Sequence, residues 1–343
     1  MNTMDQMQTP QMLMSMPEVA VLICTYNNAD RIGDLIEDLL SQTYKKFQCY
    51  ILNDGSTDET AAYLERVVGS LPKFTIITHE KNQGVGQSRL ELLRLIKDSD
   101  FKYWTFIDAD DRISSQYLEF LVKPLEYSGL YTSCAYMEME PKTKFEPFHF
   151  QNEALYAVVD LTESWIKDNV HVWTPLRSKM FSIRTLEVLD EFEPISIYED
   201  IANTHKFLFY QQKSAIIVFA PIYQKIFNPE GVGKDKPILE ERYLMKEAAR
   251  ISRFNYFYYK STEFNKIKLK NYIDLIALFA CRCIKPDFQK DFPVQYYTEL
   301  QICDTFLSIV KYRRNSIFEG LLPKHITKDK EELEFLKERW DKI

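Results

Sequence analysis

The chain has 343 residues, and its 43 Lys and Arg against 50 Asp and Glu give a formal net charge of −7. It is 45% hydrophobic and 14% aromatic, which is typical of a folded globular protein and excludes collagen-like, low-complexity and disordered classes. The acidic balance argues against a bulk nucleic-acid binder. No apolar run approaches the ~18–20 residues that span a bilayer, and the length suits about two domains of roughly 100–200 residues each.

The N-terminal segment differs from the rest of the chain. Residues 1–16 contain six of the ten methionines and lack the basic start, apolar centre and small-residue cleavage site of a signal peptide. We therefore expect a disordered leader over residues 1–16. The six cysteines show no metal-ligand spacing, so we expect reduced thiols and a cytoplasmic location.

The first 140 residues alternate short apolar runs with helical patterns. Strands are predicted at 19–24, 47–52, 74–78 and 103–107, because each is a continuous apolar run. Helices are predicted at 30–41, from about 58, and through Leu90, Leu93 and Ile96. This alternation predicts right-handed βαβ units. The predicted fold class is α/β, with a mostly parallel sheet flanked by helices.

The pattern is less regular after residue 150. Helices are predicted near 161–169 and up to Tyr210, with an apolar strand at 215–220. We expect a first domain over residues 17–230 and a mainly helical C-terminal subdomain over 231–343. Residues 241–343 hold 20 Lys and Arg against 15 Asp and Glu. This basic, aromatic region either packs on the first domain or contacts an anionic membrane surface.

Polar segments follow all four predicted strands. They are residues 25–28, 53–58, 80–86 and 108–111. Ligands of open parallel sheets bind outside the carboxyl ends of the strands, so we expect these four segments to form one site.

Asp108 and Asp110 have the spacing of a site for a hard divalent cation. Two carboxylates at i and i+2 after a strand suit Mg²⁺ or Mn²⁺, whose coordination is completed by water and phosphate oxygens. The alternative is an acidic turn that caps the next helix, with Asp111 or Ser114 near its start.

Asp54 follows the second predicted strand. Ser56 with Glu59 has the pattern of a capping box, which explains the neighbouring residues as a helix start. It does not explain Asp54, because a buried carboxylate there needs a hydrogen-bond donor such as the imide N–H of a base.

The loop from Asn82 to Gly86 contains Gly84 and is similar to a dinucleotide fingerprint. It fails that motif because Arg89 stands where the third glycine belongs. The helix that follows either presents its N-terminus to an anion or nucleotide, or the loop is simply a glycine-rich turn.

Glu199 and Asp200 introduce another predicted helix. Ser196 and Glu199 could form a capping box, which would make both acids structural. Alternatively, one carboxylate is a general base that deprotonates an acceptor hydroxyl.

These segments together resemble the family 2 glycosyltransferases of the GT-A fold. The resemblance rests on VAVLICTYN at 19–27, NDGSTDET at 53–60, NQGVGQSR at 82–89 and FIDADD at 106–111. Residues 171–176 and 198–201 are similar to the second half of that domain, so the resemblance covers about residues 17–230. It implies inverting transfer of one sugar from a nucleotide sugar, usually a UDP-sugar, with Mn²⁺ or Mg²⁺ as cofactor.

The resemblance also implies roles for particular residues. Those implied for nucleotide-sugar binding are Thr25, Tyr26, Asn27, Asp54, Asn82, Gly84, Arg89, Asp108 and Ala109. Asp54 would accept a hydrogen bond from the base, and Arg89 would lie near the nucleoside pocket. The implied metal ligands are Asp110 and Asp108, with Asp110 as the direct ligand.

Catalysis and acceptor binding are assigned in the same way. The resemblance implies that Asp200 is the catalytic base and that Glu199 beside it contacts the acceptor. Trp173 either stacks on an acceptor sugar or is a core aromatic. The implied acceptor is a glycan or lipid-linked hydroxyl in surface polysaccharide or lipopolysaccharide synthesis, with peripheral contact to the inner membrane as a further expectation.

The chain departs from the processive members of the family, and two other functions compete with this interpretation. Processive synthases of the family carry a QxxRW motif and membrane helices, whereas here Leu336 precedes Arg339 and Trp340, so a non-processive enzyme is favoured. A sugar-1-phosphate nucleotidyltransferase would need a glycine-rich, basic loop after the first strand, where this chain has Thr25 to Asn28. A non-catalytic carbohydrate-binding protein on the same fold is the other alternative.

Overall fold

The computed structural model describes residues 16–138, 155–166, 170–226, 240–260, 265–312 and 321–343. The strands in these residues are β1 (Val19–Thr25), β2 (Phe47–Asn53), β3 (Phe74–Thr78), β4 (Tyr103–Phe106), β5 (Arg112–Ile113), β6 (Thr132–Glu138), β7 (Tyr156–Asp160), β8 (Lys179–Ser182) and β9 (Ser214–Gln224). They form one sheet in the order β3-β2-β1-β4-β8-β6-β9-β5, with β7 also paired to β9. The four strands predicted in the first 110 residues are confirmed.

The sheet is mixed: among the described strands four pairs are parallel and four are antiparallel, so it is less parallel than the sequence predicts. Strands β1 to β4 pair in parallel, and β6 pairs in parallel with β9. Strand β8 lies antiparallel between β4 and β6, while β5 and β7 run antiparallel to β9. The carboxyl ends of β1, β2, β3 and β4 therefore meet at one edge, as the sequence predicts.

Helices lie between and after the strands. The first group is α1 (Ile32–Leu40), α2 (Thr60–Val68), α3 (Val85–Ile96), α4 (Tyr117–Ser128), α5 (Leu161–Ile166), α6 (Val170–Trp173) and α7 (Glu199–Leu208). The second group is α8 (Glu240–Lys260), α9 (Asn265–Cys283), α10 (Pro286–Asp291), α11 (Pro293–Tyr312) and α12 (Lys330–Lys342). Among the helices described, none combines the length and hydropathy of a membrane span.

Alternate residues of β1 face two different hydrophobic layers. Val19, Val21 and Ile23 belong to one core cluster, and Ala20 and Leu22 belong to the other. A strand covered on both faces needs apolar residues at every position, which explains why this segment reads as a continuous apolar run.

The helical C-terminal part packs partly on the second layer. Phe257 of α8 and Ile267 of α9 belong to that core cluster, and the ring centroids of Phe257 and Trp165 lie 5.7 Å apart. Helices α8, α9, α11 and α12 also share a third cluster. Residues 1–15 of the expected leader, and the expected boundary at 230, lie outside the described residues, so the domain division stays a prediction.

Candidate active site

The loops after β1 and β2 are joined by hydrogen bonds. The Asn27 N–H donates to Ser56 Oγ at 2.9 Å, and the Thr57 N–H donates to Asn27 Oδ1 at 2.8 Å. Asn27 has a left-handed φ of 51°, which asparagine tolerates better than most residues. Ser56 does not cap α2, which has Glu59 at its N-cap and no side-chain cap bond. The expected capping box is therefore wrong. Ser56 instead joins the loops after β1 and β2 at the edge of the sheet where β1 to β4 end, which we call the rim of the site.

Thr25 and Tyr26 occupy the same rim with very different exposure. Thr25 is 2% exposed and its hydroxyl accepts from Asn28 Nδ2 at 3.3 Å. Tyr26 is 42% exposed. An exposed aromatic ring at the end of a buried strand offers a flat apolar surface beside polar groups.

Asp54 is almost completely buried, and its carboxylate accepts from the protein. Gln83 N–H donates to Oδ1 and Gly84 N–H to Oδ2, both at 2.9 Å. His79 Nδ1 lies 2.7 Å from Oδ1. The helix start in this loop therefore does face an anion, but that anion is Asp54 itself, next to the positive end of α3. His79 was not identified from the sequence.

The two glycines allow the loop before α3 to pass close to the segment before α7. Gly84 has a φ of 90°, a conformation that other residues rarely adopt. A Cβ on Gly86 would lie 2.0 Å from the Ile195 carbonyl oxygen. Asn82 Oδ1 accepts from the Gly84 N–H at 3.0 Å and completes this turn. Glycine here brings the loop after β3 next to the segment that leads to Glu199.

Asp108 lies between two arginines. Its Oδ1 accepts from Arg89 Nη2 and its Oδ2 from Arg177 Nη1, each at 2.8 Å. Burial would raise the pKa of Asp108, but the charges of Arg177 and Arg89 more than offset this and lower it. Both carboxylate oxygens thus accept hydrogen bonds from guanidinium groups. To bind a metal directly, Asp108 would have to give up at least one of these contacts.

Arg89 connects Asp108 with the acids of α7. Its Nη1 donates to Glu199 Oε1, and its guanidinium lies 5.2 Å from the centroid of the Phe106 ring. Arg89 was expected beside the nucleoside pocket, and the structure places it instead between Asp108 and Glu199.

Glu199 is directed into the protein. It is 5% exposed, and burial raises its pKa to about 7 despite the attraction of Arg89, with the neighbouring Asp200 adding to the rise. The expected contact with an acceptor is therefore not supported by its position. The predicted Ser196–Glu199 capping box is also wrong, because Tyr198 is the N-cap of α7 and no side chain caps it.

Asp200 begins α7 beside Glu199. Its Oδ1 accepts from the Ile201 N–H at 2.8 Å. Burial raises the pKa of Asp200, against the opposing effects of Arg89 and Arg177. A raised carboxylate pKa suits a general base that works near neutral pH. The preceding Tyr198 has a left-handed φ of 66°, a strained conformation of the kind that clusters at active sites.

The residues that follow Asp108 differ in burial. Ala109 is 3% exposed and Asp111 is 2% exposed, whereas Asp110 is half-buried. Asp111 accepts from Tyr223 Oη at 2.7 Å and from the Ile226 N–H at 3.0 Å. It therefore holds the end of β9 and does not cap α4. Ser114, the other residue of the helix-cap alternative, accepts from the N–H of Gln116, the N-cap residue of α4, at 3.3 Å, but no side-chain bond caps the helix. Burial and Asp108 raise the pKa of Asp111 to about 7.

A divalent metal would find few protein ligands at this rim. Within the described ranges, no three His, Cys, Asp or Glu residues are grouped so that they could hold a metal ion. Mg²⁺ commonly uses only one or two carboxylates and takes its other ligands from water and substrate phosphates. A half-buried carboxylate such as that of Asp110 is compatible with this mode of binding.

Trp173 corrects one expectation. Its side chain is fully buried and its Nε1 donates to Ser164 Oγ at 2.8 Å. The ring belongs to the second core cluster, so the core-aromatic alternative is right and the proposed stacking on an acceptor sugar is wrong.

Arg177 reaches the site from an irregular connection that no sequence motif marks. Ser178, the next residue, has a left-handed φ of 62°. The buried Lys179 Nζ donates to the carbonyl oxygens of Val172 and Pro175 at 2.7 and 2.6 Å. These contacts hold the connection against the core and direct Arg177 to Asp108.

Comparisons with known proteins agree with this architecture. Residues 20–180 match the family model described as glycosyl transferase family 2. An uncharacterized glycosyltransferase of Haemophilus influenzae is 32% identical over 36% of this chain and 38% of its own length. A cholesterol galactosyltransferase of Borreliella burgdorferi is 32% identical over 30% of this chain and 28% of its own length. The matched segments therefore span about a third of these relatives.

Solved structures extend the likeness to most of the chain. TarS of S. aureus in complex with UDP-GlcNAc matches with a TM-score of 0.65 and 18% identity, over 94% of this chain and 88% of that one. At this identity the match shows the fold alone. The family match therefore covers residues 20–180, and the sheet order and the structural likeness show that this chain shares the fold of TarS.

Proposed function

We propose that the protein transfers one sugar, with inversion, from a UDP-sugar to a hydroxyl of a glycan or lipid-linked acceptor. The observation that carries this proposal is the arrangement at the sheet edge. Arg89 joins Asp108, which follows β4, to Glu199, which is adjacent to Asp200. The buried Arg89 side chain thus brings Asp108, on the donor side, and Asp200, the candidate base, into a single site. The UDP and UDP-GlcNAc complexes of TarS support a uridine nucleotide as donor.

The nucleoside would bind at the interlocked loops after β1 and β2. Tyr26 offers an exposed ring for stacking, and Thr25 and Asn27 form the adjacent wall. Asp54 would accept the imide N–H of uracil. Gly84 and Asn82 shape the loop that holds Asp54, and the buried Ala109 lies between Asp108 and Asp110.

The diphosphate would lie at Asp110. Asp110 would hold Mn²⁺ or Mg²⁺ together with diphosphate oxygens, and the cation would offset the negative charge that develops on the leaving diphosphate. Asp108 remains with its two arginines. These keep the carboxylate in place and partly neutralise an acidic site before an anionic substrate enters.

Asp200 would remove the proton from the acceptor hydroxyl. The hydroxyl oxygen attacks C1 of the sugar from the side opposite the diphosphate, so the new C–O bond forms as the bond to the diphosphate oxygen breaks. A departing diphosphate needs no acid from the protein, so one carboxylate is enough, whereas glycoside hydrolysis uses two. Glu199 keeps Arg89 in position and does not touch the acceptor.

The C-terminal helices are proposed to serve the acceptor side. Lys246 of α8 lies over the Tyr198 ring, with Nζ 5.6 Å from its centroid, next to Glu199 and Asp200. Exposed apolar side chains at Phe292, Val294 and Tyr297 support contact with lipid-linked acceptors at the cytoplasmic face of a membrane. We place residues 231–343 in this second unit and residues 17–230 in the transferase domain, in a pathway that builds surface polysaccharide.

Thermal unfolding with a panel of nucleotides separates this function from its alternatives. We expect UDP and one UDP-sugar to raise Tm in Mn²⁺ or Mg²⁺ and to have little effect in EDTA, because a ligand that binds only the folded state stabilises it. Stabilisation by a nucleoside triphosphate with a sugar phosphate would favour a nucleotidyltransferase. No shift with any nucleotide would contradict the proposal and favour a carbohydrate-binding protein.

Replacing Asp110 with Ala tests the metal assignment. We expect the variant to lose the metal-dependent part of UDP binding, because it removes the carboxylate that would share the cation with the diphosphate. Calorimetric titration of UDP with Mn²⁺ and with EDTA measures this part as the ratio of the two Kd values. The matched control is Asp190→Ala, since Asp190 is 90% exposed beside Lys97. An unchanged ratio in the Asp110→Ala protein would contradict the assignment.

A further inference from the structure

His79 forms a chain of hydrogen bonds with two carboxylates. Its side chain is 8% exposed, with Nδ1 2.7 Å from Asp54 Oδ1 and Nε2 3.0 Å from Glu91 Oε2. Its backbone N–H donates to the Asn53 carbonyl oxygen at 2.9 Å. When both carboxylates are ionised they only accept hydrogen bonds, so both ring nitrogens then donate. The geometry is therefore that of a doubly protonated imidazolium.

The two carboxylate oxygens of Asp54 receive different numbers of hydrogen bonds. Among the described residues, Oδ1 receives His79 Nδ1 and the Gln83 N–H, while Oδ2 receives the Gly84 N–H. Each carboxylate oxygen offers about two lone-pair sites, so Oδ2 keeps one for a further donor. His79 and the two amides thus fix the carboxylate in one orientation with one acceptor site left over.

We propose that His79 is a positioning residue for the donor: held as an imidazolium by Glu91, it orients Asp54 so that Oδ2 accepts the N–H of the nucleotide base. This inference rests on the proposed function, because it takes the ligand of Asp54 to be the base of a uridine nucleotide. Cytosine presents an acceptor at that position. Its ring nitrogen would face the Asp54 oxygen, which is also an acceptor, so a cytidine nucleotide would bind poorly.

The charge of His79 should make donor binding depend on pH. Burial alone would lower the pKa of His79, but the hydrogen bonds to Asp54 and Glu91 raise it above the ordinary 6.5. These two carboxylates, Asp54 after β2 and Glu91 on α3, are the charged groups that the structure places on the ring. The imidazolium is present below its pKa and is lost as the pH rises through it, so donor affinity should be constant on the acid side and fall on the basic side.

The test is the pH dependence of the Kd of UDP-GlcNAc at constant Mg²⁺. The diphosphate of this ligand is esterified at both ends and has no proton to lose near neutral pH, and the uracil imide loses its proton only at clearly basic pH. Glu199 and Asp111, whose pKa is also raised to about 7, are present in every variant, so the difference between the wild-type and His79→Gln profiles reports His79.

We expect His79→Gln to bind about 10-fold more weakly, a change of about 1.4 kcal/mol, and to lack the basic-side fall that the wild type shows, since glutamine keeps a donor for Asp54 but carries no charge that titrates. Glu91→Gln should move the fall in affinity to lower pH, and Asp190→Asn should leave the profile as in the wild type.

The ring itself gives an independent measurement. Nitrogen-15 NMR of the five histidine side chains, with His79→Gln for assignment, should show both His79 nitrogens protonated at neutral pH and a lower pKa in Glu91→Gln. A neutral His79 ring, or the same Kd profile in all variants, would overturn the inference alone. Failure of UDP-GlcNAc to bind at any pH would overturn the proposed function and the inference with it.

Discussion

Replacing Asp200 with Asn is expected to lower kcat for sugar transfer by about 10²–10⁴-fold, the usual contribution of a positioned general base. The Kd of the UDP-sugar should stay within about twofold of the wild type, because we propose that Asp200 contacts the acceptor hydroxyl and not the nucleotide. The amide is isosteric and can still accept from the Ile201 N–H, as the carboxylate does, so the start of α7 is retained. Rates of UDP release with acceptor, together with titrations of the donor, measure the two effects separately.

The control for this prediction is an acid that carries no proposed role. Asp190→Asn changes an exposed carboxylate paired with Lys97 at 3.4 Å and should leave kcat unchanged. Near-normal turnover in Asp200→Asn would remove Asp200 as the base. A parallel loss of donor binding would indicate that Asp200 supports the donor site instead.

Replacing Arg89 with Met is expected to lower the free energy of unfolding by about 3–5 kcal/mol, the cost of removing one partner of a buried ion pair. Arg89 is 7% exposed and is shared by Asp108 and Glu199. Asp108 keeps Arg177 at 2.8 Å, so Glu199 bears most of the loss. Urea unfolding at several pH values measures the effect.

The pH dependence of this variant has a defined sign. The pKa of Glu199 is already raised to about 7 with Arg89 present, and without Arg89 it should rise further. The charged form of Glu199 then opposes folding, so the destabilisation should be smallest below pH 7 and grow as the pH rises. The double variant Arg89→Met with Glu199→Gln should recover part of the loss at pH 8.

A surface pair provides the comparison. Lys97→Met breaks the exposed contact with Asp190, which should cost no more than about 1 kcal/mol. If Arg89→Met is no more destabilising than Lys97→Met, or if its effect and that of Glu199→Gln are additive, the buried bridge does not stabilise the fold as described.

The sequence predicts the sheet well because a strand covered on both faces must be apolar throughout. Residues from Val19 to Ile23 divide between two core clusters, and no surface helix would show that pattern. The rule that ligands bind at the carboxyl ends of parallel strands then locates the rim before any side chain is known. The same rule points to His79, which directly follows β3, but a single histidine without a partner in sequence is not distinguished from a structural one.

Side-chain partners could not be predicted, because they depend on residues distant in sequence. Arg89 is 110 positions from Glu199, and Arg177 is 69 from Asp108. Local patterns misled where a tertiary partner replaced a helix cap, as for Ser56 with Asn27 and Asp111 with Tyr223. Trp173 has the composition of a sugar-stacking residue, and only its burial shows that it belongs to the core.

We propose that Asp108 and Asp110 have different roles at this site. Both follow β4 and both belong to one short acidic motif, yet the two oxygens of Asp108 accept from two arginines, whereas Asp110 is half-buried at the same rim. The metal and the donor diphosphate should therefore meet at Asp110, while Asp108 orders the arginines around them.

Anomalous scattering from a crystal grown with Mn²⁺ and UDP tests this claim most directly. We predict one manganese peak bonded to an Asp110 oxygen and to diphosphate oxygens, with Asp108 still hydrogen-bonded to Arg89 and Arg177 and the uracil N–H donating to Asp54 Oδ2. A manganese ion bound by Asp108 in place of its arginines, or UDP ordered away from the rim of β1, β2 and β4, would contradict it.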